Sequence, residues 1–376
     1  MRIAIVTESY FPQVNGVSNS VRHVVRRLGE RGHEVLVVAP GPGPTCVEGV
    51  PVHRARSVDL PRYRTFPLGV PDGRAERAVV GFEPDLVHLA SPIVLGAAGL
   101  RAAERLDRPA VAVYQTDVVA FARQYGLRLD PLAARWVARL HRRATRTLVP
   151  STSSRAQLEA LRVRDLHLWR RGISLELFGP GRRDEQLRGT WTGGDPAATV
   201  IGYVGRLAPE KQVRRLRELV DLPGTRLVVV GDGPDRPWLE RHLPGAVFTG
   251  MLQGPELARA FASLDVFVHT GEAETFCQTV QEAQASGVAV VAPAAGGPLD
   301  LVDHGRTGLL YAPADPSSLL CSVAALVDDT VGRARLAGAA RESVAGRSWA
   351  RVVDELIDVH YAAVLGHGVV PVDRAA

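Results

Sequence analysis

The sequence predicts an α/β protein made of two doubly wound, Rossmann-like domains. Short apolar strands alternate with helical stretches through residues 1–150, and a second series of the same kind starts at residue 199. A polar, glycine-rich stretch, 179–196, separates the series and reads as a linker. A chain of 376 residues with 46% hydrophobic content, 37 Gly and 26 Pro suits two cores with many short turns. The expected domains are 1–185, 197–348 and a C-terminal helix within 349–376 that packs back toward the first domain.

The first series opens with a strand at Ile3 to Thr7, a loop holding Asn15 and Gly16, and a helical stretch from Asn19 to Arg31 that ends at Gly32-His33. Val35 to Ala39 is the next strand, which completes a βαβ unit whose first loop offers backbone N–H groups at a helix start, a place suited to anions. Asp85 to His88, Ala110 to Tyr114 and Thr147 to Ser151 continue as short strands. The second series runs through Thr199 to Gly205, Arg226 to Gly233, Val247-Phe248, Asp265 to Val268 and Val288 to Ala292, apolar on both faces as buried parallel strands are. Ligands of such sheets bind beyond the carboxyl ends of the strands, so a cleft between the domains is the expected site.

Composition narrows the function. No apolar run reaches spanning length, and the opening Met-Arg-Ile-Ala-Ile-Val-Thr-Glu reads as a strand, too short an apolar stretch for a signal peptide. A cytoplasmic location is therefore expected. Cys46, Cys277 and Cys321 are far apart and match no metal-ligand spacing, so neither a disulfide nor zinc is expected, and Cys277 reads as a packing residue. Residues 1–188 carry a net +11 and residues 189–376 a net −6, which points the first half at an anionic partner. No nucleic-acid-binding module is recognisable, which leaves an anionic membrane surface. Phe121 to Tyr125 and Leu132 to Ala144 set arginines beside aromatics in an amphipathic pattern that suits such a surface or, equally, an ordinary helix with a buried stripe.

Of the 45 basic residues, 44 are arginine, and the single lysine, Lys211, lies in Gly205-Arg206-Leu207-Ala208-Pro209-Glu210-Lys211. A compact ammonium kept in an arginine-rich chain marks a position where the planar guanidinium does not substitute. Arg206 follows a strand directly and Lys211 is read near the start of the next helix, so both cations and the positive helix end can meet one diphosphate without a metal. Glu274 and Glu282 are separated by seven residues: Glu274 falls in a loop where it can accept hydrogen bonds from sugar hydroxyls while the N–H groups of Phe276, Cys277 and Gln278 hold phosphate, and Glu282 falls on the following helix, where it can hold a ribose diol; by spacing alone the two suit equally an exposed first-turn acid and a helix-surface acid. No Asp-x-Asp motif occurs in the chain. His33, His88 and His269 read as structural or cleft-lining.

Together with Arg206, Lys211, Glu274 and Glu282, the order Gly287 to Pro298 followed by His304-Gly-Arg-Thr-Gly308 resembles the nucleotide-sugar domain of the retaining glycosyltransferases of family 4, which have the two-domain GT-B fold. Thr7 to Ser20, Val113-Tyr-Gln-Thr-Asp117, His269 to Gln278 and Gly346-Arg-Ser-Trp349 further resemble the actinobacterial GDP-mannose-dependent α-mannosyltransferases of phosphatidylinositol mannoside and glycolipid synthesis. The resemblance covers nearly the whole chain. It implies that Arg206 and Lys211 bind the donor diphosphate beside Gly205, that Glu274 holds the transferred sugar and Glu282 the ribose, and that Gly16 approaches the diphosphate from the other domain. Asn15, Tyr114, Gln115 and Asp117 would then meet the acceptor, with Asp117 also a candidate for the sugar. Many family members have His-Thr where this chain has Gln115-Thr116, and Gln115 cannot shuttle a proton.

The implied activity is transfer of an α-mannosyl group from GDP-mannose to a lipid-linked acceptor, with no cofactor and no metal, by a chain expected to be monomeric and peripheral at the inner face of the cell membrane. A UDP-sugar-dependent glycolipid glycosyltransferase is the nearest rival. A non-hydrolysing sugar-nucleotide epimerase shares the two-domain layout, but no independent sign of its catalytic acids is present. A nucleotide-sugar-binding protein without turnover is the third reading.

Overall fold

The computed structural model describes residues 1–13, 15–60, 63–117 and 130–366, with 59, 60, 63–66 and 130 described by backbone alone. The Phe121 to Tyr125 motif lies outside the described residues. The chain divides into two compact units: Met1–Gly172 with the segment from Trp349 onward, and Ile173–Ser348.

The first unit is built on strands β1 (Arg2–Thr7), β2 (Glu34–Pro40), β3 (Cys46–Val47), β4 (Val50–Ala55), β7 (Leu86–Ala90), β8 (Ala110–Val113), β9 (Arg146–Val149) and β10 (Leu166–Leu168), with β5 (Ser57–Leu60) and β6 (Tyr63–Gly69) forming a separate antiparallel pair. Their order in the sheet is β10-β9-β8-β7-β1-β2-β4-β3, and every pairing except β3 with β4 is parallel. Helix α1 (Gly16–Glu30) starts three residues before the sequence expectation because Asn15 caps it: the Asn15 side chain accepts from the Val17 and Ser18 N–H groups, and the Ser18 hydroxyl closes a capping box. Val17, Val21, Val24, Val25 and Leu28 recur at helical spacing and are buried against Ile3 and Ile5. Each such side chain contributes about 1.5–3 kcal/mol by leaving water.

The helix at Trp349–Glu355 and the π-helical turn Leu356–Tyr361 belong to this same core, through Val352, Val353, Leu356, Ile357 and Tyr361. Trp169 Nε1 donates to the Val352 carbonyl at 2.9 Å, and Tyr361 Oη lies 2.8 Å from His88 Nδ1 in the interior. On the surface, Arg27 and Arg31 of α1 hold Asp354 at 2.7 and 2.8 Å.

The second unit contains β11 (Thr199–Val204), β12 (Thr225–Val230), β13 (Val247–Gly250), β14 (Val266–Val268), β15 (Ala289–Pro293) and β16 (Leu309–Tyr311), all parallel, in the order β13-β12-β11-β14-β15-β16. This is the Rossmann strand order, and its switch point lies between β11 and β14.

Two expectations fail here. Residues 179–196 are not a bare linker: Pro180–Arg182 is a 3-10 turn and Glu185–Thr192 a helix, clustered with the second unit. Their polar composition reflects ion pairs, such as Arg188 with Asp265 at 3.0 Å, while Trp191 is buried. Nor does Lys211 start an α-helix. Pro209–Lys211 and Val213–Leu219 are 3-10 segments broken by Gln212 at φ +49°, so the helix end expected beside Lys211 is reduced to a turn.

Candidate functional site in the second unit

The loops leaving β11 and β14 meet at the switch point. Gly205 follows β11 at φ +154°, and a Cβ on Gly231, which follows β12 at φ +140°, would lie 1.9 Å from the Gly205 carbonyl oxygen, so Gly231 must be glycine for the two loops to pass that closely. The Tyr203 hydroxyl donates to the Arg206 carbonyl at 3.1 Å and fixes the backbone beyond the glycine. Arg206 is 30% exposed along its side chain, with Nη1 3.3 Å from Glu210 Oε1. Lys211 reaches the other loop: its Nζ donates to Glu274 Oε1 at 2.6 Å, and its carbonyl accepts from the Thr270 hydroxyl at 2.7 Å.

Glu274 lies in the loop between β14 and the helix Gln278–Ala285. Gly296 and Gly297 press on this loop. A Cβ on Gly296 would stand 2.6 Å from the Glu272 oxygen, one on Gly297 would stand 2.4 Å from the Phe276 oxygen, and the Gly297 N–H donates to the Glu274 carbonyl at 2.7 Å. The Gly-Gly pair thus sets the height of the Glu274 backbone. Phe276 is buried, Cys277 takes a left-handed conformation at φ +77° just before the helix, and Gln278 donates from Nε2 to Gln281 at 3.3 Å. Glu282 follows one turn along, its carboxyl pushed up to about 8 by burial.

His269, at the end of β14, is the neighbour that sequence reasoning left as structural or cleft-lining. Its side chain is 3% exposed and its Nε2 lies 3.2 Å from Glu274 Oε1, the oxygen that Lys211 also holds. Burial opposes the charged imidazole, but Cys277 and Glu274 outweigh it and push the ring up to about 10. Burial likewise opposes the Glu274 carboxylate, and Lys211 followed by His269 overcomes that, holding it well below the usual range. Lys211 is desolvated too, yet Glu274 keeps it raised. His269 could have been noticed in the sequence only as a histidine directly after an apolar strand, a weak signal.

Among the described residues, His269, Glu274 and Cys277 bring metal-ligand atoms within 4.8 Å of one another. The set suits ion pairing better than a metal. A divalent cation would have to displace the Lys211 ammonium from Glu274 and take the proton from His269.

In the first unit the remaining predicted residues gather at the carboxyl ends of β1 and β8. Asn15 is occupied in capping α1, and its Nδ2 donates to Ser9 Oγ at 2.7 Å. Arg171, a buried guanidinium that sequence reasoning missed, donates to the Gly16 carbonyl at 3.0 Å and to Gln115 Oε1 at 3.1 Å, tying the two loops together. Tyr114 is buried, and desolvation with Asp117 nearby raises its phenol, while Asp117 accepts from Gln157 Nε2 at 3.1 Å. Glu8, also unforeseen, is fully buried and caps the helix Leu95–Arg105 by accepting from the Ile93 and Gly96 N–H groups at 2.9 and 3.0 Å. Burial raises its carboxyl.

Residues 14–177 match the profile of Glycosyltransferase Family 4, and residues 198–329 that of Glycosyl transferases group 1. The chain is 52% identical over 374 residues to a GDP-mannose-dependent α-mannosyltransferase of Mycolicibacterium smegmatis, with 97% of this chain and 98% of the relative covered. It belongs to glycosyltransferase family 4. A GDP-mannose-dependent α-mannosyltransferase of Mycobacterium tuberculosis is 53% identical, with 97% of each chain covered. Among solved structures, sucrose-phosphate synthase from Thermosynechococcus elongatus superposes with a TM-score of 0.81 at 20% identity, covering 97% of this chain and 99% of the other, which shows the shared fold. The family 4 chain therefore has the GT-B fold that its sequence resemblance implied. It is a glycosyltransferase.

Proposed function

We propose that this enzyme moves an α-mannosyl group, with retention, from GDP-mannose to a lipid-linked acceptor such as a phosphatidylinositol mannoside or a glycosyl diacylglycerol. The observation that carries the reading is the Lys211–Glu274 contact at the switch point, in a family 4 chain whose near relatives depend on GDP-mannose. Lys211 and Arg206 present charge to the donor diphosphate from the loop after β11. The Phe276, Cys277 and Gln278 N–H groups add donors, Glu274 accepts from the sugar hydroxyls, and Glu282 accepts from the ribose diol. In the first unit, Gly16 is the family position associated with the diphosphate, and Asn15, Tyr114, Gln115 and Asp117 are offered for the acceptor.

The acceptor hydroxyl attacks the anomeric carbon on the face from which the diphosphate leaves. The new C–O bond forms as the bond to the β-phosphate oxygen breaks, and the hydroxyl proton passes to that oxygen, giving an α-mannoside and GDP. The protein's part is positioning and stabilisation of the departing charge, worth several kcal/mol for each such effect. Two cations in place of a divalent ion make the step metal-independent.

The helix Asp130–Arg143 supports a membrane surface as the place of action. Val137, Ala138 and Leu140 are buried, while Leu132 (59% exposed) and Trp136 (40%) share the outer face with exposed Arg135 and Arg139. No helix among the described residues is long and apolar enough to cross a membrane. We place the enzyme at the inner face of the cell membrane.

The test is transfer by the purified protein in EDTA, with GDP-mannose, UDP-glucose and UDP-glucuronate offered in parallel beside a lipid extract. Mannose transfer from GDP-mannose alone is expected. Transfer from a UDP-sugar would overturn the donor assignment, and a requirement for added metal would overturn the two-cation mechanism.

A further inference from the structure

We propose that His269 is a positioning residue of the donor site, an imidazolium that keeps Glu274 oriented as a carboxylate while Lys211 is drawn toward the donor diphosphate. The inference rests on the donor-site reading above and adds a residue to it.

The geometry sets a problem that His269 solves. Lys211 Nζ and His269 Nε2 converge on the same oxygen, Glu274 Oε1, at 2.6 and 3.2 Å. A diphosphate beside Lys211 competes for the ammonium, and a buried carboxylate that shares or loses its cation tends to take up a proton. The negative charge of the donor pushes the same way. His269 does not face that competition from the strand side, because it is buried just past β14 with its backbone N–H donating to the Val291 carbonyl at 2.9 Å.

Among the described residues, neither ring nitrogen of His269 finds a partner in an aligned hydrogen bond. The imidazole therefore acts on Glu274 as a close charge, with no strong directional bond of its own to break. The approach above the pair is kept open by Gly271, where a Cβ would lie 3.1 Å from His269 Nε2 and 3.5 Å from Glu274 Oε1. A sugar hydroxyl can then reach the carboxylate without meeting a side chain at that position.

The titratable groups around the pair are few. From the turn after β11 come Lys211 and Glu210, the latter directed to Arg206; Tyr203 stands at the end of β11; Cys277 and Glu274 come from the loop after β14; and Tyr311 of β16 bonds the Thr270 carbonyl at 3.4 Å. Among the described residues, Lys211 and His269 are the two cations on Glu274, so removing His269 leaves the carboxylate dependent on a lysine that the donor also claims.

The experiment compares kcat and KM for GDP-mannose across about pH 5 to 8.5 in the parent, His269→Gln and His269→Ala, with Lys211→Ala and Glu274→Gln as references. His269→Gln is expected to lower kcat/KM about tenfold near neutral pH, to alter donor KM by less than about threefold, and to gain an acid limb that the parent lacks over this range. A parent-like profile and parent-like kcat/KM in His269→Gln would overturn the inference and leave His269 a packing residue. Where a variant does not fold, the imidazole nitrogen shifts of the parent decide: a neutral His269 ring at pH 7.5 in the free enzyme overturns the proposal, and a charged ring supports it. If Lys211→Ala and Glu274→Gln transfer mannose like the parent, the donor-site reading itself fails, an outcome distinct from failure of His269 alone.

Discussion

Lys211 Nζ donates to Glu274 Oε1 at 2.6 Å, and this contact joins the loops that leave two neighbouring strands, β11 and β14, at the switch point of the second sheet. A charge pair this sheltered adds little net stability, because desolvation offsets most of the attraction. What it contributes is placement. The contact holds an ammonium and a carboxylate side by side, the pairing that the donor site proposed above needs for the charge and the hydroxyls of a sugar diphosphate.

Lys211→Ala is therefore expected to lower kcat/KM for transfer by about 100-fold or more, the scale on which a preorganised charge-stabilising donor acts. Its cost in stability should be modest, about 1–2 kcal/mol, because His269 still faces the Glu274 carboxylate. Steady-state kinetics beside thermal melts check this, and an unfolded variant or an unimpaired one would each contradict it.

Gly296→Ala should impair transfer without removing any charged group. The added Cβ meets the Glu272 oxygen at 2.6 Å, and the position has φ +61°, so the loop carrying Glu274 must shift. A loss of tenfold or more in kcat/KM is expected, with the melting temperature lowered by a few degrees; equal kinetics with parent would show that the loop's height is not set there.

Arg171→Ala removes the bridge between Gly16 and Gln115. The buried carbonyl and amide oxygens then lose a charged donor, at a cost of about 2–4 kcal/mol. Gly16→Ala should approach the same result from the other side, since its Cβ would lie 2.7 Å from Arg171 Nη1. Urea unfolding of the two single variants and the double variant measures the coupling, and strictly additive losses would argue against a shared bridge.

Acid should destabilise the first unit in a defined window. Burial pushes His88 and His141 down to about 4, and burial with Arg146 and His167 pushes His360 down to about 3. An unfolded histidine titrates near 6.5, so below that pH the unfolded chain binds protons that the folded chain refuses. Stability is then fully present above about pH 6.5 and is lost as pH falls toward the folded values, by up to about 3 kcal/mol for each of His88 and His141. Urea midpoints between about pH 8 and 4.5 test the sign, and a flat dependence would mean these rings are protonated in the fold.

Much of the architecture was legible beforehand. Strands buried on both faces show as unbroken apolar runs, and β1, β2 and β11 fall within one residue of their expected ends for that reason, whereas β12 stops three residues short of the expected Gly233. Helix α1 was legible through its repeating valines, although its true start depended on the Asn15 cap, whose bonds run to residues two and three positions on. Strands β3, β10 and β16 escape the pattern because they are edge strands of two or three residues, and β4 because its buried and exposed positions do not form an apolar run. The stretch 179–196 misled because polar residues that pair with a distant Asp265 look, in sequence, like residues that pair with water.

The order of residues is enough to give the alternation of elements, the family resemblance of the motifs, and the charged positions Arg206, Lys211, Glu274 and Glu282, because periodicity and motifs are local properties of the chain. Folding is what sets Lys211 in a 3-10 turn, brings His269 to the same carboxylate oxygen, and carries Arg171 to Gly16 and Gln115. Those facts join residues between five and more than a hundred positions apart. Their energies come from burial and from distances of about 3 Å, which follow from how the strands are ordered in the sheet and leave no periodic trace along the chain.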